Sequence, residues 1–390
     1  MRVACVHWGF PPIIGGVENH LVTILPQMVK WGHKVSILTG TTAQTKTKYT
    51  YRGVKVWRTP LMDINWLARR GFEGIGPKIL KMFEEFFETF QPDVIHCHNL
   101  HYFSRMHTKD VERISKEKSI PLVLTAHNIW DNALCLDLTR RVAWSHIIAV
   151  SRFIKRELLG VGCDSKKITV VYHGIDTEMF RSHVGTEKIW EKYPFLKNKK
   201  IIFHPARIGM AKGCDTSLKA VNIVKKRFPD VILVLSGSKD IVDWSQSQQK
   251  DIAYLVDLME TLGLEDNTLI DSFTCEEMIQ LYKASSVCIY PSSAMEPFGI
   301  AVLEALASER PVIVTNSGGM PEIIKNGVNG LIVPVKDYKA LASRILRLLT
   351  DIELRRRLTY AGLRMVQTRF TAETVTKATL NVYNKVLENG

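Results

Sequence analysis

The sequence predicts an α/β protein built from two doubly wound domains, each a parallel sheet covered by helices on both faces. Three observations carry this prediction. A chain of 390 residues suits two domains, at ~100–200 residues per domain. Short apolar runs of strand length alternate with helix-period patterns from end to end, the signature of parallel sheets with helical crossovers. A polar stretch with few helix signals, Arg181–Lys200, separates two such series. Two domains of similar size leave a cleft, and ligands of such sheets bind beyond the carboxyl ends of the strands. The loops that follow strands are therefore where chemistry is expected.

In the first series the strand-like runs are Arg2–His7, Lys34–Thr39, Val54–Arg58, Val94–Cys97, Pro121–Thr125, Ile147–Val150 and Ile168–Tyr172. Gly16–Trp31 reads as a helix. So does Gly76–Phe90, with Ile79, Leu80, Phe83, Phe86, Phe87 and Phe90 on one face. In the second series the strands are Ile201–His204, Val231–Ser236, Thr268–Ile270, Val287–Tyr290, Pro311–Thr315 and Gly330–Val333. Beyond Asp337 the chain is helical, over Tyr338–Leu349, Ile352–Gln367 and Thr371–Glu388. The domains are placed at 1–185 and 186–370, with 371–390 as a terminal helix.

Composition narrows the function classes. Hydrophobic residues make up 46% and charged residues 23%, an ordinary globular balance. No apolar run approaches the ~18 residues of a membrane span. The opening Met1–Val6 fits a first strand better than a signal peptide, so the cytoplasm is the expected location. The seven cysteines are scattered with no C-x-x-C pair, which favours buried reduced thiols over disulfides or zinc. The formal charge of +13 suggests an anionic partner. The basic residues are dispersed and form no nucleic-acid motif, so no nucleic-acid partner is expected.

The most informative loop runs from Ser293 to Gly299 and enters a helix, Ile300–Ala307, that is apolar nearly all round and therefore buried. Glu304 shares a face of it with Ile300, Leu303 and Ala307, and a carboxylate there needs a hydrogen-bonding partner. Glu296 lies just before the helix. Gly299 permits close approach of a ligand to the backbone, and the free N–H groups of the helix start favour an anion. The stretch suits a ligand bearing both hydroxyls and phosphate, or else a structural glutamate that caps a neighbouring loop.

Other loops follow strands in the same way. Gly15–Gly16 opens the first helix without G-x-G-x-x-G spacing, which gives no support to a nicotinamide site. His96 and His98 share a strand face, but they make only a bare pair of ligands where a metal needs three or four, so no metal is expected. His127 ends a strand, as a substrate contact or a packed core histidine. Tyr172–Asp176 reads as a hinge turn with Gly174 supplying backbone freedom. Arg207 and Lys212, with glycines between and after them, can converge on a phosphate or form a solvated loop. Gly318–Gly319 offers another close approach, and Glu322 buttresses a short helix start.

In this order the motifs resemble the GT-B-fold retaining glycosyltransferases of family 4, over almost the whole chain. Glu296-Pro297-Phe298-Gly299-Ile300 with Glu304 is similar to the family's E-x7-E motif. Arg207, Lys212-Gly213, Gly15-Gly16-Val17-Glu18, His127, Tyr172–Asp176 and Ser317–Glu322 fall in the family's order. One departure is His204-Pro205-Ala206 before Arg207, where the family more often has a glycine.

The resemblance implies two Rossmann-like domains facing across a cleft, the N-terminal one for the acceptor and the C-terminal one for the donor. The terminal helix would cross back to the first domain. The donor would be a nucleotide-diphosphate sugar, UDP- or GDP-linked. Arg207 and Lys212 would hold the diphosphate, Glu304 the ribose hydroxyls, and Glu296 with the backbone of Phe298, Gly299 and Ile300 the sugar and phosphate. Gly15 and Gly16 would close over the phosphate, and His127 would contact the sugar. With no D-x-D motif, no metal and no other cofactor are expected. The acceptor, a glycan, a lipid-linked or a small molecule, is left open. Trp66–Arg70 with Lys78 and Lys81 reads as a peripheral membrane contact or a solvated face. The rival functions are a GT-B epimerase, an inverting transferase with Glu18 or His20 as base, and a basic, non-catalytic anion- or membrane-binding protein.

Overall fold

In the computed structural model, which describes residues 1–13, 15–41, 47–180, 185–237 and 246–388, the chain divides into two compact units. Unit 1 comprises Met1–Gly174 with Ala372–Gly390, and unit 2 comprises Ile175–Thr371. The first crossing thus precedes the residue-185 boundary read from composition. At the crossing, the Ile175 N–H donates to the Phe370 carbonyl at 2.9 Å, so the two ends of unit 2 are pinned side by side. Arg181–Val184 lie outside the described residues. The rest of that polar segment is not helix-free: Glu187–Lys192 forms a helix. Six residues are too few for a legible period. The helix stands because Ile189 is fully buried and because Lys188 and Lys192 pair with Glu276 and Glu277.

Unit 1 holds eight strands: β1 Arg2–Val6, β2 Lys34–Gly40, β3 Lys48–Tyr51, β4 Val54–Thr59, β5 Val94–His98, β6 Leu122–Ala126, β7 His146–Ala149 and β8 Ile168–Val170. Their order in the sheet is β3-β4-β2-β1-β5-β6-β7-β8. All neighbours are parallel except β3 with β4. The sequence reading missed β3, whose Lys-Tyr-Thr-Tyr pattern buries no residue fully. It is held as an antiparallel edge strand by its ladder, by Lys48 over the Trp57 ring, and by Arg58 donating to the Tyr49 hydroxyl at 2.8 Å.

Unit 2 holds six strands, all parallel: β9 Lys200–His204, β10 Val231–Gly237, β11 Thr268–Ser272, β12 Val287–Tyr290, β13 Val312–Thr315 and β14 Leu331–Val333. Their order is β11-β10-β9-β12-β13-β14. The three central strands β9, β12 and β13 are buried almost throughout, which explains why they read as unbroken apolar runs rather than alternating ones.

The terminal helix Ala372–Glu388 belongs to unit 1. Val375, Leu380, Val382, Tyr383 and Val386 enter the same core cluster as Leu21, Ile24, Leu25 and Met28 of helix Gly16–Lys30. It also carries a deep polar anchor. The Tyr383 hydroxyl lies 2.6 Å from Nδ1 of His96, whose Nε2 lies 2.6 Å from the Thr125 hydroxyl.

His96 is one of six buried histidines at this end of the sheet, with His7, His20, His98, His127 and His173. Burial disfavours the charged forms of His20 and His96 and pulls both down to about 3. His98, His127 and His173 are lowered by the same desolvation and then by one another. Cys5 beside them is raised for the same reason.

Two outcomes follow from this core. Tyr383→Phe leaves a buried imidazole nitrogen without its partner, an effect of about 1–3 kcal/mol. The unfolding transition of unit 1 in urea should shift by that amount while that of unit 2 stays put. The histidines set a pH dependence as well. Below the ordinary histidine value of 6.5 the unfolded chain takes up protons that the folded core refuses. Stability should therefore be level from pH 8 to 7 and fall steadily between pH 6.5 and 5, above the range where ordinary carboxylates titrate. A urea midpoint that is unchanged across the lower interval would contradict this account.

Candidate functional site

The loops after β9, β12 and β13 come from neighbouring strands of one sheet, so they emerge side by side. Side chains and backbone then knit them together. The Ala211 carbonyl, beside Lys212, accepts from the N–H groups of Ser293 and Ala294, each at 3.0 Å. The Ser293 hydroxyl donates to the Met210 carbonyl at 2.5 Å. On the other side, the Ser317 hydroxyl donates to the Ala294 carbonyl at 2.7 Å, and the Gly319 N–H donates to the Glu296 carbonyl at 2.8 Å. Thr315 closes the weave by donating to the Ser292 carbonyl at 2.8 Å.

Glycines stand where backbones meet. Gly213 has φ +77°, and a side chain there would run into the Pro291 carbonyl. Gly318 has φ +53° and lies against the backbone of Glu296 in the same way. The expected approach of Gly318–Gly319 to a ligand is thus an approach to the Glu296–Phe298 backbone. Their first task is to let two loops touch.

This weave sets the charges. Lys212 Nζ lies 2.6 Å from Glu296 Oε2, with both side chains partly open to solvent. Arg207 is exposed and bonds no carboxylate among the described residues. Gly299, at φ +103°, leads into helix Ile300–Ala307 with no side-chain cap, which leaves the first-turn N–H groups without a side-chain acceptor. An exposed guanidinium, an ammonium and a helix start without a side-chain cap, on adjoining loops, are the ingredients of an anion site.

Glu304 has the partner that its position requires. The Tyr282 hydroxyl donates to its Oε2 at 2.8 Å. Desolvation raises the Glu304 pKa and the Tyr282 hydrogen bond opposes the rise. Tyr282 comes from helix Cys275–Ala284 and is itself fully buried. Nothing in the spacing of the chain marks it as the partner. Phe298 is placed differently from a ligand contact. Its ring is buried against Phe370, with centroids 5.9 Å apart, so only its backbone is available to a ligand.

Gly15, Gly16 and His127 lie in unit 1 and are considered there. Gly15 precedes helix Gly16–Lys30 in an extended conformation, and a side chain on it would meet the Glu18 carboxylate. Glu18 is buried, and its Oε1 lies 3.0 Å from His7 Nε2. His7 Nδ1 lies 3.0 Å from the His98 carbonyl, His98 Nδ1 lies 2.9 Å from His127 Nε2, and His127 Nδ1 lies 3.3 Å from His173 Nε2. The backbone N–H of His127 donates to Asn99 Oδ1 at 2.9 Å. Gly15 and His127 are therefore joined through Glu18, His7 and His98, of which the sequence reading singled out Glu18 and His98 but not His7.

Two groups, Cys5 with His96 and His98 and His20 with His98 and His127, bring three potential metal ligands within 4.8 Å of one another. In the first group both ring nitrogens of His96 are hydrogen-bonded, and in the second both of His127 are. Neither group presents three free lone pairs. Both are buried core groups in which His96 and His127 are hydrogen-bonded, while His20 Nδ1 and His98 Nε2 have no partner among the described residues.

Comparison with known proteins agrees with this architecture. Residues 14–179 match the family model described as Glycosyltransferase Family 4, and residues 185–365 match that described as Glycosyl transferases group 1. An uncharacterized glycosyltransferase of Methanocaldococcus jannaschii is 28% identical over 100% of this chain and 99% of its own. A glycogen synthase of Mycobacterium tuberculosis is 24% identical over 98% of this chain and 94% of its own. Among solved structures, sucrose-phosphate synthase from Thermosynechococcus elongatus superposes with a TM-score of 0.81 at 19% identity, over 100% of this chain and 99% of its own. The Anabaena protein HepE, in complex with UDP and glucose, gives 0.78 at 21%, over 98% and 99%. With two parallel-sheet units and family matches over both halves, the chain belongs to the family 4 glycosyltransferases of GT-B fold.

Proposed function

We propose that this glycosyltransferase transfers a sugar with retention from a nucleoside-diphosphate sugar, UDP- or GDP-linked, to an acceptor hydroxyl without a metal. The observation that carries the reading is the Lys212–Glu296 pair, 2.6 Å apart, on loops adjoining a helix start without a side-chain cap, with Arg207 exposed and bonded to no carboxylate among the described residues. A diphosphate leaving group develops charge as the bond from the anomeric carbon to its oxygen breaks. Fixed cations and N–H groups stabilise that charge more in the transition state than in the ground state. Lys212 would exchange part of its contact with Glu296 for phosphate, which frees a Glu296 oxygen to accept from a sugar hydroxyl. Glu304, oriented by Tyr282, would accept from the ribose hydroxyls. Gly15 and Gly16 would admit the phosphate to the first helix start, and His127, neutral through burial, would contact the sugar.

Retention would follow a front-face path. The acceptor oxygen forms its bond to the anomeric carbon on the side from which the phosphate departs, and its proton passes to the departing phosphate oxygen. Support for the donor class comes from the HepE structures, in complex with UDP and glucose and with UDP-glucose. No helix among the described residues is long and apolar enough to cross a membrane. We place the protein in the cytoplasm, with its acceptor a glycan, a lipid-linked molecule at the membrane surface or a small molecule.

Thermal shifts with UDP, GDP, ADP, CMP and dTDP test the donor. A nucleotide at ~100 times its Kd stabilises by about 2.7 kcal/mol. One nucleoside diphosphate should raise the Tm of the wild type and not that of Glu304→Ala. If none does while a polyanion such as heparin does, the donor reading fails. Once the donor is known, Lys212→Ala should reduce transfer by about 100-fold or more with the fold intact. Activity equal to wild type would remove Lys212 from the site. The product anomer, read by NMR, decides stereochemistry, and a β-linked product from an α-linked donor would overturn retention.

A further inference from the structure

A cavity of about 950 Å³ opens on unit 2. Ser285–Ser286 and Arg310–Pro311 line it, and they stand just before β12 and β13. The cavity thus lies at the amino ends of the same strands whose carboxyl ends carry Glu296 and Gly318. Its other wall is helix Ile352–Arg369, through Arg355, Arg356 and Arg357.

Four arginines therefore line one space, and among the described residues none is bonded to a carboxylate. Arg310 donates from Nε to the Ser308 carbonyl at 3.0 Å and from Nη1 to the Ser285 carbonyl at 3.3 Å. Arg355 donates to the Leu348 carbonyl at 3.3 Å, and Arg357 reaches only the Gly327 carbonyl, at 3.5 Å. Glu309 and Glu353 also line the cavity but form no ion pair with them. Arg310 is half-buried, and its pKa is lowered chiefly by desolvation, an effect that Cys288 and Glu309 oppose and the charge of Arg355 reinforces. Arginine does not lose its proton in a protein, so a half-buried guanidinium held by carbonyls alone gains further from a directly bonded anion. Two exposed apolar side chains, Ile352 and Tyr360, stand at the rim.

We propose that this cavity binds a multiply charged phosphate ester, held by the planar forks of Arg310, Arg355 and Arg356, at a site separate from that of the sugar donor. Guanidinium pairs match phosphate oxygens two at a time, which a lysine cluster does not. Ile352 and Tyr360 accommodate an apolar portion of the same ligand. The phosphate belongs either to a soluble metabolite or to a lipid headgroup.

Titration calorimetry with inorganic tripolyphosphate at ~0.15 M salt tests this, on full-length Lys212→Ala, in which the expected donor site is disabled. Binding should persist there and weaken about tenfold or more on adding Arg355→Ala/Arg356→Ala, a loss of about 1.4 kcal/mol. Arg69→Ala/Arg70→Ala, the same charge change on another helix, should leave it unaltered, and circular dichroism melts should show all variants folded. Co-sedimentation with phosphatidylcholine vesicles, with and without phosphatidic acid, assigns the source. Binding to the acidic vesicles that is lost in the Arg355/Arg356 variant indicates a headgroup, whereas tripolyphosphate binding alone indicates a soluble ester. Equal losses in both double variants, or binding of neither probe, would overturn the proposal. Loss of binding with Lys212→Ala alone would return the anion to the donor site.

Discussion

The second unit depends on a close approach of backbones. The loops after β9 and β12 touch where Gly213 meets the Pro291 carbonyl, and those after β12 and β13 touch where Gly318 meets Glu296. No side chain fits at either point, and both glycines hold positive φ that other residues adopt at a penalty. Everything charged in the site hangs from these contacts. Lys212 adjoins Gly213 in sequence, and Glu296 supplies the carbonyl that accepts from Gly319. Their 2.6 Å separation is a consequence of main-chain packing rather than of the attraction between two exposed ends, which on its own is worth little.

The first unit solves a different problem. Burial disfavours charge on His20, His96, His98, His127 and His173, and contacts run nitrogen to nitrogen through His98, His127 and His173. The terminal helix enters this network through Tyr383, which ties the end of the chain to β5. At one margin Glu18 meets His7 at 3.0 Å, next to Gly15. A neutral His127 can donate from one nitrogen and accept at the other. Its neighbours His98 and His173 therefore influence which nitrogen carries the proton.

The +13 net charge is not spread evenly in its consequences. Much of it is neutralised locally, as in Lys109 and Lys116 around Glu112 or Lys188 and Lys192 against their glutamates. What matters for recognition is the residue left without a carboxylate. Among such cations of the described residues in unit 2, Arg207 follows the carboxyl end of β9, and Arg310, Arg355 and Arg356 line the cavity at the amino ends of β12 and β13. Helix Ile300–Ala307 begins beside the first set, and Ser308 and Arg310 follow its last turn at the second.

The sequence by itself determined the architecture and the order of the motifs. Strands buried on both faces must be continuous apolar runs, and β9, β12 and β13 are legible for that reason. It also determined that Glu304, set in an apolar helix, would require a partner. Short elements held by docking were not legible: β3 and helix Glu187–Lys192 carry no period long enough to read. Nor were contacts between residues distant in the chain. Tyr282 on Glu304, His7 on Glu18 and Phe298 turned inward onto Phe370 arise only when strand order is set. The arginine cavity is the clearest such case, since Arg310 and Arg355 become neighbours only because β13 and helix Ile352–Arg369 pack in one unit. Local patterning depends on neighbours along the chain, whereas partners for buried charge depend on neighbours in space, and only the folded sheet supplies those.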